Sequence, residues 1–500
     1  MNKYYITLLF NFAFAGMTSS QAYDRLWFAG YDEFPGVSGY GHAQIRFAND
    51  TVLAEPAQLA FNFESTVAVM SDSAGELLFY TNGCSVANRN HEIMPNGSGL
   101  NPGDMAGLVC PWKGYIVPQG AMALPDPAGG GRYYIIHAGG RKDAARKLGL
   151  GPLYYTVIDM TLQNGLGDVV SKNNILLDGD LGSFTVVRHG NGRDWWIVVP
   201  EFGNRRWYAF LLSLEGIAAQ AAQEILLAGP DCEKFMGTAV SRAGDRIANW
   251  GDCKVTVLDF DRCAGVVGRP LELQAPTHWI PGGGVAFSRG GRYLYATSQN
   301  VLFRADLSAA APKLDTMRFS YDPFLKSPYD VPGNTFHFLT AGPDGHIYGN
   351  IPSRASHLHV LKNADGATIA DIDFRAKGVI LPVKGVRTLP HSPNYRLYDW
   401  PGSACDTLGI SVAAPYTPPA PACDVQIRPN PAAWNTRIAV TACPDASGAI
   451  FDAAGRRIQE FNLAAGAAEI ELGRFQPGVY FITLYPEKVV GITRRLVVLR

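Results

Sequence analysis

The chain of 500 residues lacks a surplus of charge of either sign. Lys and Arg number 43 against 44 Asp and Glu, and charged residues form only 17% of the chain. A nucleic-acid-binding surface needs a basic excess to neutralise phosphates, so this balance argues against such a partner. Beyond the N-terminal segment no stretch of about 18 residues is apolar, which argues against a transmembrane segment.

Motifs of the common catalytic and cofactor sites are also missing. The sequence contains no phosphate-binding loop, dinucleotide fingerprint, calcium-binding loop or zinc-protease helix, and no nucleophile elbow at a strand-to-helix turn. We therefore expect no bound cofactor. The eight cysteines include no CxxC pair and no Cys/His zinc spacing, which argues against a structural metal site.

The first 22 residues have the pattern of a secretory signal peptide. Lys3 precedes a mostly apolar run, and Ser20 and Ala22 are the small residues expected before a cleavage site. The run is too short to span a bilayer. Export makes disulfides possible. We predict one between Cys423 and Cys443, which flank two strand-like runs and would lie opposite each other in a simple hairpin.

A strand, a glycine-containing turn and a second strand recur between about residues 24 and 400. The turn glycines are spaced 46 to 62 residues apart, and they are Gly75, Gly130, Gly192, Gly244, Gly290 and Gly345. A period near 50 with several short strands per repeat is typical of a β-propeller, whose blades lie side by side in a ring. We therefore predict an all-β fold with a β-propeller over residues 23–410. The adjacent Trp195 and Trp196 should face opposite sides of one blade.

The number of blades follows from how the ring closes. Six repeats are explicit, and a seventh blade could form if Asp24 to Phe47 paired with Asp371 to Leu389. That pairing would join both ends of the domain and remove an exposed sheet edge. We prefer seven blades, with six and eight as alternatives and a series of β-sandwiches as a different architecture. Ser213 to Leu227 has a partly helical pattern.

A Pro-rich segment, residues 411–422, separates the propeller from a second all-β unit over residues 423–500, and its composition favours an extended linker. We predict a small immunoglobulin-like β-sandwich for the second unit. Its motif residues are Pro429, Asn430 and Pro431 in a turn, Asp452 and Gly455 in a hairpin, and Gly478 and Tyr480 in a strand before a basic-then-aliphatic end.

These motifs resemble the C-terminal sorting domain of the type IX secretion system of Bacteroidetes. The resemblance covers the whole unit, in order and at the chain end. It implies that the type IX secretion machinery is a partner and that the domain guides translocation across the outer membrane. It also implies that the domain is then removed, and that the remainder is released or attached to the cell surface.

The propeller resembles a large, poorly characterised family of propeller domains found upstream of such sorting domains. The supporting strings are LLFYTNGCSVANRNHEIMPNG from Leu77, HGNGRDWWIVV from His189 and LPHSPNYRLYDWPGSACDTLG from Leu389. The resemblance implies a surface or secreted propeller, and it implies no particular activity.

A binding site in a propeller is expected at the axial mouth, because loops that enter the innermost strands surround it. Polar residues just before those strands are Glu64, Gln119, Glu233 and His337. A carboxylate among neutral donors could hold a sugar or a cation, so we expect a glycan or protein ligand. The alternatives are an extracellular polysaccharide lyase or hydrolase with its site in the axial funnel, and a structural envelope component.

Two pairs of residues suggest narrower hypotheses. His357 and His359 would share one face of a strand, a geometry that can bind a metal. We favour surface or core roles for them, because no third ligand is identifiable. His189 lies five residues before Asp194, and a hydrogen bond between their side chains would staple the turn of one blade.

Overall fold

A computed structural model of the chain divides into two compact units, residues 1–412 and 413–500. The residues that the structure describes are 22–31, 39–48, 51–142, 148–202, 205–227, 235–251, 253–274, 283–298, 301–317, 337–351, 355–408, 424–433, 435–441, 446–452, 457–463, 467–472, 474–486 and 492–499. Most of the signal segment, the linker 411–422, Glu233, Gly455, and the Cys423–Cys443 pair lie outside them, so those predictions stay predictions.

The first unit is the predicted β-propeller, and it has seven blades. Blade 1 contains β1 (Leu26–Tyr31), β2 (Gly41–Ala48) and β3 (Thr51–Ala57). Blade 2 contains β4 (Ala68–Ser71), β5 (Leu77–Thr81), β6 (Ser85–Asn88) and β7 (Ile93–Ser98). Blade 3 contains β8 (Ala121–Pro125), β9 (Arg132–Lys142), β10 (Leu148–Asp159) and β11 (Asp168–Leu177). Blade 4 contains β12 (Thr185–Arg188), β13 (Trp195–Pro200), β14 (Arg206–Ser213), β15 (Gly216–Ala219) and β16 (Gln223–Glu224).

The remaining blades have four strands each. Blade 5 contains β17 (Phe235–Val240), β18 (Arg246–Gly251), β19 (Lys254–Asp261) and β20 (Val266–Gln274). Blade 6 contains β21 (Val285–Phe287), β22 (Tyr293–Ser298), β23 (Val301–Asp306) and β24 (Asp315–Met317). Blade 7 contains β25 (Leu339–Ala341), β26 (Ile347–Gly349), β27 (His357–Leu361) and β28 (Phe374–Ile380). All strand pairs are antiparallel between near neighbours, and β15 and β16 correct the helical pattern expected there.

Helices are short and peripheral in the described residues. The α-helix α1 (Asp104–Val109) lies between blades 2 and 3, and two 3₁₀ turns span Gln163–Gly165 and Ile369–Asp371. The sequence is rich in Gly (54) and Pro (33), which favours turns over long helices.

Apolar side chains fill every junction between blades. One cluster spans blades 2, 3 and 4, and further clusters join blades 4 and 5, 5 and 6, 6 and 7, 7 and 1, and 1 and 2. Trp195 belongs to the first cluster and Trp196 to the second, so the two rings pack on opposite faces of blade 4, as predicted. A blade buries both faces in this way, which a single twisted sheet cannot do alone.

The turn after each innermost strand contains a glycine in the left-handed conformation. Five of the six predicted glycines have positive φ angles, for example 93° at Gly75 and 76° at Gly192. In blade 6 Gly290 lies in the turn as predicted, and the left-handed residue there is its neighbour Gly291 (φ 72°). Glycine adopts this conformation without the steric cost that a β-carbon brings, so the hairpins can turn tightly.

Ring closure differs in detail from the expected pairing. The segment around Phe374–Ile380 is β28 of blade 7, and blade 1 is built from β1, β2 and β3 alone. Residues 384–406 follow β28 and run from blade 1 to the opposite side of the ring, and we call them the strap. The strap contacts blade 1 through a backbone bridge between Lys384 and Tyr40 and an ion pair between Arg396 and Asp24. The two ends of the domain therefore close the ring together. They contact each other more through side chains than through backbone pairing of strands.

The strap also contacts the other side of the ring. Tyr395 is buried, and its hydroxyl donates to the Ala123 carbonyl of blade 3 at 2.7 Å. The Asn394 amide donates to the Arg242 carbonyl of blade 5 at 2.9 Å. A disulfide joins Cys405 to Cys263, on the turn between β19 and β20, and a second disulfide joins Cys84 to Cys110.

The second unit consists of two antiparallel sheets around one apolar core. The first sheet has the order β29-β30-β33 and the second β32-β31-β34-β35. Their bounds are β29 (Asp424–Arg428), β30 (Asn435–Thr441), β31 (Ala446–Asp452), β32 (Arg457–Asn462), β33 (Ala467–Glu471), β34 (Gly478–Pro486) and β35 (Ile492–Val498). The immunoglobulin-like arrangement of these sheets stays a prediction.

The predicted Pro-Asn-Pro turn lies along the last strand. The Asn430 side-chain carbonyl accepts the Val497 N–H at 2.9 Å, and the Ala432 N–H donates to the Val497 carbonyl at 2.9 Å. These bonds satisfy backbone groups on the outer edge of β35, which would otherwise be open to pairing with another chain. Tyr480, on β34, is buried and donates its hydroxyl to the Gln476 carbonyl.

Candidate functional site

The propeller axis has two ends with different side chains. The upper mouth is the end at which β4, β8, β12, β17, β21 and β25 begin, and the lower mouth is the end at which they run into their glycine turns. Glu64, Gln119 and His337 precede these strands and therefore lie at the upper mouth, as the sequence predicts. Their contacts show that they do not form one site.

Gln119 connects two blades that are not neighbours. Its side-chain carbonyl accepts the Thr238 N–H at 2.8 Å, and its amide donates to the Thr238 carbonyl at 3.3 Å. Gln119 belongs to the loop before β8 in blade 3, whereas Thr238 lies on β17 in blade 5, so this side chain crosses in front of blade 4. Both polar atoms of the Gln119 amide are used in this bond, which makes Gln119 a structural brace.

Glu64 and His337 meet around a residue that the sequence did not single out. Arg387, in the strap, forms an ion pair with Glu64 at 2.6 Å between Nη1 and Oε1. The guanidinium of Arg387 also lies over the Tyr31 ring, 4.9 Å from its centre. The second carboxylate oxygen of Glu64, Oε2, is buried and has no hydrogen-bond partner in the described part of the chain.

His337 contacts the same arginine through a hydrogen bond with the Arg387 backbone. Burial lowers the pKa of His337 to about 4, against a smaller upward contribution from its hydrogen bond with the Arg387 backbone. The imidazole is therefore neutral near pH 7. Its Nδ1 atom is buried and, among the described residues, has no hydrogen-bond partner. The Glu64 carboxylate and the neutral His337 imidazole thus lie beside one arginine at the upper mouth, each with a buried atom that has no partner among the described residues.

An exposed tryptophan lies on the same end of the ring. Trp112 is 75% exposed, in the loop that leads from α1 to β8. Its backbone carbonyl accepts a hydrogen bond from the Asn62 side chain at 3.2 Å, and Asn62 is two residues before Glu64. The loops that carry Trp112 and Glu64 are therefore neighbours. Large exposed aromatic rings beside buried polar groups are a common feature of binding sites.

The expected bond between His189 and Asp194 is not formed by their side chains. The His189 ring accepts the Asn191 N–H at Nδ1 and contacts the Cys263 carbonyl at 3.1 Å through Nε2. The Asp194 carboxylate binds Asn191 and Arg193 instead. His189 therefore staples blade 4 to the turn of blade 5 that holds a disulfide. The tight turn explains the difference, because it places the Asn191 N–H, and not the Asp194 carboxylate, next to Nδ1 of the His189 ring.

His357 and His359 share one face of β27, with ring centres 5.5 Å apart. Burial, with a smaller effect from Lys377, lowers the pKa of His357 to about 4. Within the described ranges no group of three His, Cys, Asp or Glu side chains is arranged to hold a metal ion. His359 is fully buried in blade 7 and packs on Phe374, whereas His357 is partly exposed.

Sequence reasoning missed Arg387 and Trp112. Arg387 lies in a segment without strand periodicity, so its approach to Glu64, more than 300 residues away, leaves no local pattern. Trp112 did carry a signal: it stands between Pro111 and Lys113-Gly114, in a turn-forming context where a large aromatic residue has no core to fill.

Comparison with known families identifies the second unit. Residues 426–499 match the secretion system C-terminal sorting domain, which confirms the resemblance seen in the motifs. The chain is thus a type IX secretion substrate, and its destination is the outer cell surface or the medium. No helix among the described residues is long and apolar enough to cross a membrane.

Solved structures similar to the chain share little sequence with it. A functionally unknown protein from Desulfotomaculum acetoxidans has 12% identity and a TM-score of 0.40, with 70% of this chain and 96% of that chain covered. A putative 6-phosphogluconolactonase from Bacteroides uniformis has 12% identity, a TM-score of 0.38, and coverage of 72% and 98%. Hydrazine synthase from Kuenenia stuttgartiensis has 11% identity, a TM-score of 0.38, and coverage of 70% and 94%. At these values the likeness says nothing about activity. No curated protein matches the chain.

Proposed function

We propose that the exported propeller is a binding protein that holds a glycan at its upper mouth. Glu64 and His337 would hydrogen-bond sugar hydroxyls, and Trp112 would stack on a sugar face. The observation that carries this proposal is the pair of buried polar atoms, Glu64 Oε2 and His337 Nδ1, which lack partners in the described chain. A buried polar atom left without a hydrogen bond costs about 1–3 kcal/mol, so a ligand hydroxyl that reaches either atom recovers that energy.

The charge of the site favours a hydroxylated ligand over a charged one. The Glu64 carboxylate is neutralised by Arg387, and the His337 ring is neutral at pH 7 because burial lowers its pKa. Neutral hydroxyl groups can donate to both acceptors at once, whereas a cation or an anion would be repelled by one partner of the ion pair. The exposed face of Trp112 supplies apolar area for the carbon–hydrogen face of a sugar.

A carbohydrate-array screen of the exported protein tests the proposal. We expect wild-type protein to bind a defined set of glycans, and Glu64→Gln and Trp112→Ala to lose at least about tenfold in affinity, corresponding to about 1.4 kcal/mol. Glu76→Gln and Trp400→Ala are matched controls, because Glu76 and Trp400 are exposed at the lower mouth. We expect both controls to bind as wild type does.

Two results would overturn the proposal. If both Glu64→Gln and Trp112→Ala kept full affinity, the upper mouth would not be the binding site. If the bound glycan were cut, with new reducing ends or unsaturated sugars in solution, the protein would be a hydrolase or lyase. In that case His337→Gln should abolish the release of product, since His337 is the neutral base at this mouth.

A further inference from the structure

Blade 5 contains a lysine whose side chain is buried. Lys254 is the first residue of β19, and its side chain is only 1% exposed. Its ammonium contacts the carboxylate of Glu272, on β20, a side chain that is 11% exposed. Removing two charges from water carries a desolvation cost that their mutual attraction does not always offset. A reaction that removes both charges is therefore favoured at this position.

An asparagine side chain lies on the same face of the neighbouring strand. Asn249, on β18, is fully buried and lies opposite Thr256 of β19, and Thr256 lies opposite Glu272 of β20. Lys254 is two residues before Thr256, so the two side chains share one face of β19. Diagonal neighbours on adjacent antiparallel strands are roughly 7–8 Å apart, a distance that a long side chain spans. Lys254 can therefore reach the Asn249 amide on one side as well as the Glu272 carboxylate on the other.

This face of blade 5 packs against blade 4. Ile247 on β18 and Leu258 on β19 alternate in step with Asn249 and Lys254, and both belong to the apolar cluster that joins the two blades. Apolar surroundings disfavour charged groups and exclude water that would compete in a reaction. Thr256 Oγ1 is buried there and has no hydrogen-bond partner among the described residues. Its hydroxyl can donate to an oxygen on which negative charge develops.

We propose that Lys254 and Asn249 are joined by an isopeptide bond, an amide between their side chains, which links β18 to β19. Glu272 first takes a proton from the Lys254 ammonium and leaves a free amine. The amine nitrogen Nζ then attacks Cγ of Asn249. As the bond between Cγ and Nδ2 of Asn249 breaks, Glu272 gives its proton to the leaving nitrogen and takes one from Nζ, and ammonia departs.

The product carries neither of the original charges. Glu272 remains as an uncharged carboxylic acid, which can donate a hydrogen bond to the new amide. The reaction needs no further reactant, so the folding of blade 5 is sufficient to bring the three groups together. The bond closes the hairpin between β18 and β19, whose turn lies at the upper mouth.

Mass spectrometry of a tryptic digest of the exported protein, after reduction and alkylation, tests the proposal. Trypsin cuts after lysine and arginine, but it does not cut after a lysine whose amine is part of an amide. We expect one uncut peptide of residues 247–262, lighter than its sequence mass by one molecule of ammonia. Lys313 is the internal control, because it is 77% exposed and pairs with Asp315, which is also exposed, so trypsin should cut after it.

Two variants test the roles of the partners. Asn249→Asp makes water the leaving molecule in place of ammonia but gives the same amide, so the peptide should have the same mass as in wild type. Glu272→Gln keeps the shape of the side chain and cannot carry the proton, so trypsin should cut after Lys254. Glu224→Gln is the matched control, because Glu224 is exposed and paired with Arg206 in blade 4, and its peptide 247–262 should stay uncut.

Three results would overturn the proposal. Separate wild-type peptides 247–254 and 255–262 of full mass would show that the lysine forms an ion pair and no bond. A peptide 247–262 joined to the peptide that contains Glu272, with the loss of one water, would place the bond at Glu272. An uncut peptide lighter by one ammonia in Glu272→Gln would show that Glu272 does not carry the proton. The wild-type digest is decisive even if a variant fails to fold.

Discussion

Gln119 has a backbone φ of 50°, in the left-handed region that residues with a β-carbon rarely adopt. That conformation directs the Gln119 side-chain amide toward Thr238. The two buried hydrogen bonds that result offset the free-energy cost of the left-handed backbone conformation. His137 plays a similar part inside blade 3. It is completely buried, with Nδ1 at 2.7 Å from Asn101 and Nε2 at 2.9 Å from Thr156. Single polar side chains thus tie loops to strands in the interior of this ring.

The histidines predict how stability depends on pH. Burial lowers the pKa of His137 to about 3, and burial also lowers the pKa of His337 and of His391 to about 4. An unfolded histidine has a pKa near 6.5, so between about pH 4 and 6.5 the unfolded chain binds more protons than the native one. The free energy of unfolding must therefore fall as pH drops through 6.5, by up to about 1.4 kcal/mol per pH unit for each such residue.

Urea unfolding of wild-type protein and His137→Gln between pH 7.5 and 4.5 checks this prediction. Glutamine can keep hydrogen bonds to Asn101 and Thr156 but does not titrate, so the variant should show a shallower decline on acidification. The difference between the two slopes of unfolding free energy against pH should correspond to the uptake of about one proton on unfolding. Parallel curves for the two proteins would show that His137 is not neutral in the native state.

At the scale of single elements, the strap shows what sequence patterns can and cannot predict. The strands, the turn glycines and the opposite facing of Trp195 and Trp196 follow from local periodicity, and the structure confirms them. The strap has no strand periodicity, because Tyr395 and Arg396 are placed by partners in blades 3 and 1. Its path from blade 1 to blades 3 and 5 could therefore not be predicted.

The candidate site, too, could be predicted only in part from the sequence. The positions of Glu64 and His337 before innermost strands predict the mouth at which they lie, because that placement is set by blade order. The partners of these residues depend on loops from distant parts of the chain. Gln119 precedes an innermost strand too, yet its amide reaches Thr238 and leaves nothing for a ligand. The position of a polar residue within a blade therefore predicts the mouth at which its side chain lies. It does not predict which of its polar atoms lack a hydrogen-bond partner.

The disulfide that ends the strap, Cys263–Cys405, should stabilise the propeller more than the Cys84–Cys110 disulfide does. Cys263 and Cys405 are 142 residues apart, whereas Cys84 and Cys110 are 26 apart. The chain-entropy estimate for the unfolded state is about 5 kcal/mol for the long loop and about 3.5 kcal/mol for the short one. Gly190 leaves room for the long link, since a β-carbon there would clash with Cys405 Sγ.

Thermal unfolding of two double variants tests this order. Cys263→Ala/Cys405→Ala should lower the melting temperature of the propeller more than Cys84→Ala/Cys110→Ala does. Untreated wild-type protein, with every disulfide intact, serves as the reference. An equal or larger loss in the Cys84/Cys110 variant would show that the strap is held by its side chains and gains little from the disulfide.

The whole molecule combines a closed ring with a separate sorting domain. The ring needs residues up to the strap, and the sorting domain has its own apolar core, formed by residues such as Ile450, Ile482 and Leu496. Loss of the sorting domain downstream of the strap therefore removes no residue that any described blade uses. This organisation suits a protein whose tail directs export and is afterwards dispensable for folding.

Two truncations test the division. A chain that ends after Leu408 keeps the strap and Cys405, and it should unfold cooperatively near the melting temperature of the full-length propeller. A chain that ends after Val383 lacks the strap and should lose cooperative unfolding and become sensitive to protease. A peptide of residues 384–408 added to the shorter chain should restore part of the resistance. If the shorter chain were as stable as the longer one, ring closure would not depend on the strap.

The strap also sets the moment at which this protein can become native during its journey out of the cell. Blade 1 receives its three strands from the earliest part of the propeller, and the strap that contacts it comes from the latest part. A chain that is threaded through a membrane from its N-terminus therefore waits as an incomplete arc, with apolar surfaces open at both ends, until nearly four hundred residues have emerged. We expect this incomplete arc to be the form of the protein most prone to aggregation, and a holding chaperone would bind the arc and not the finished ring.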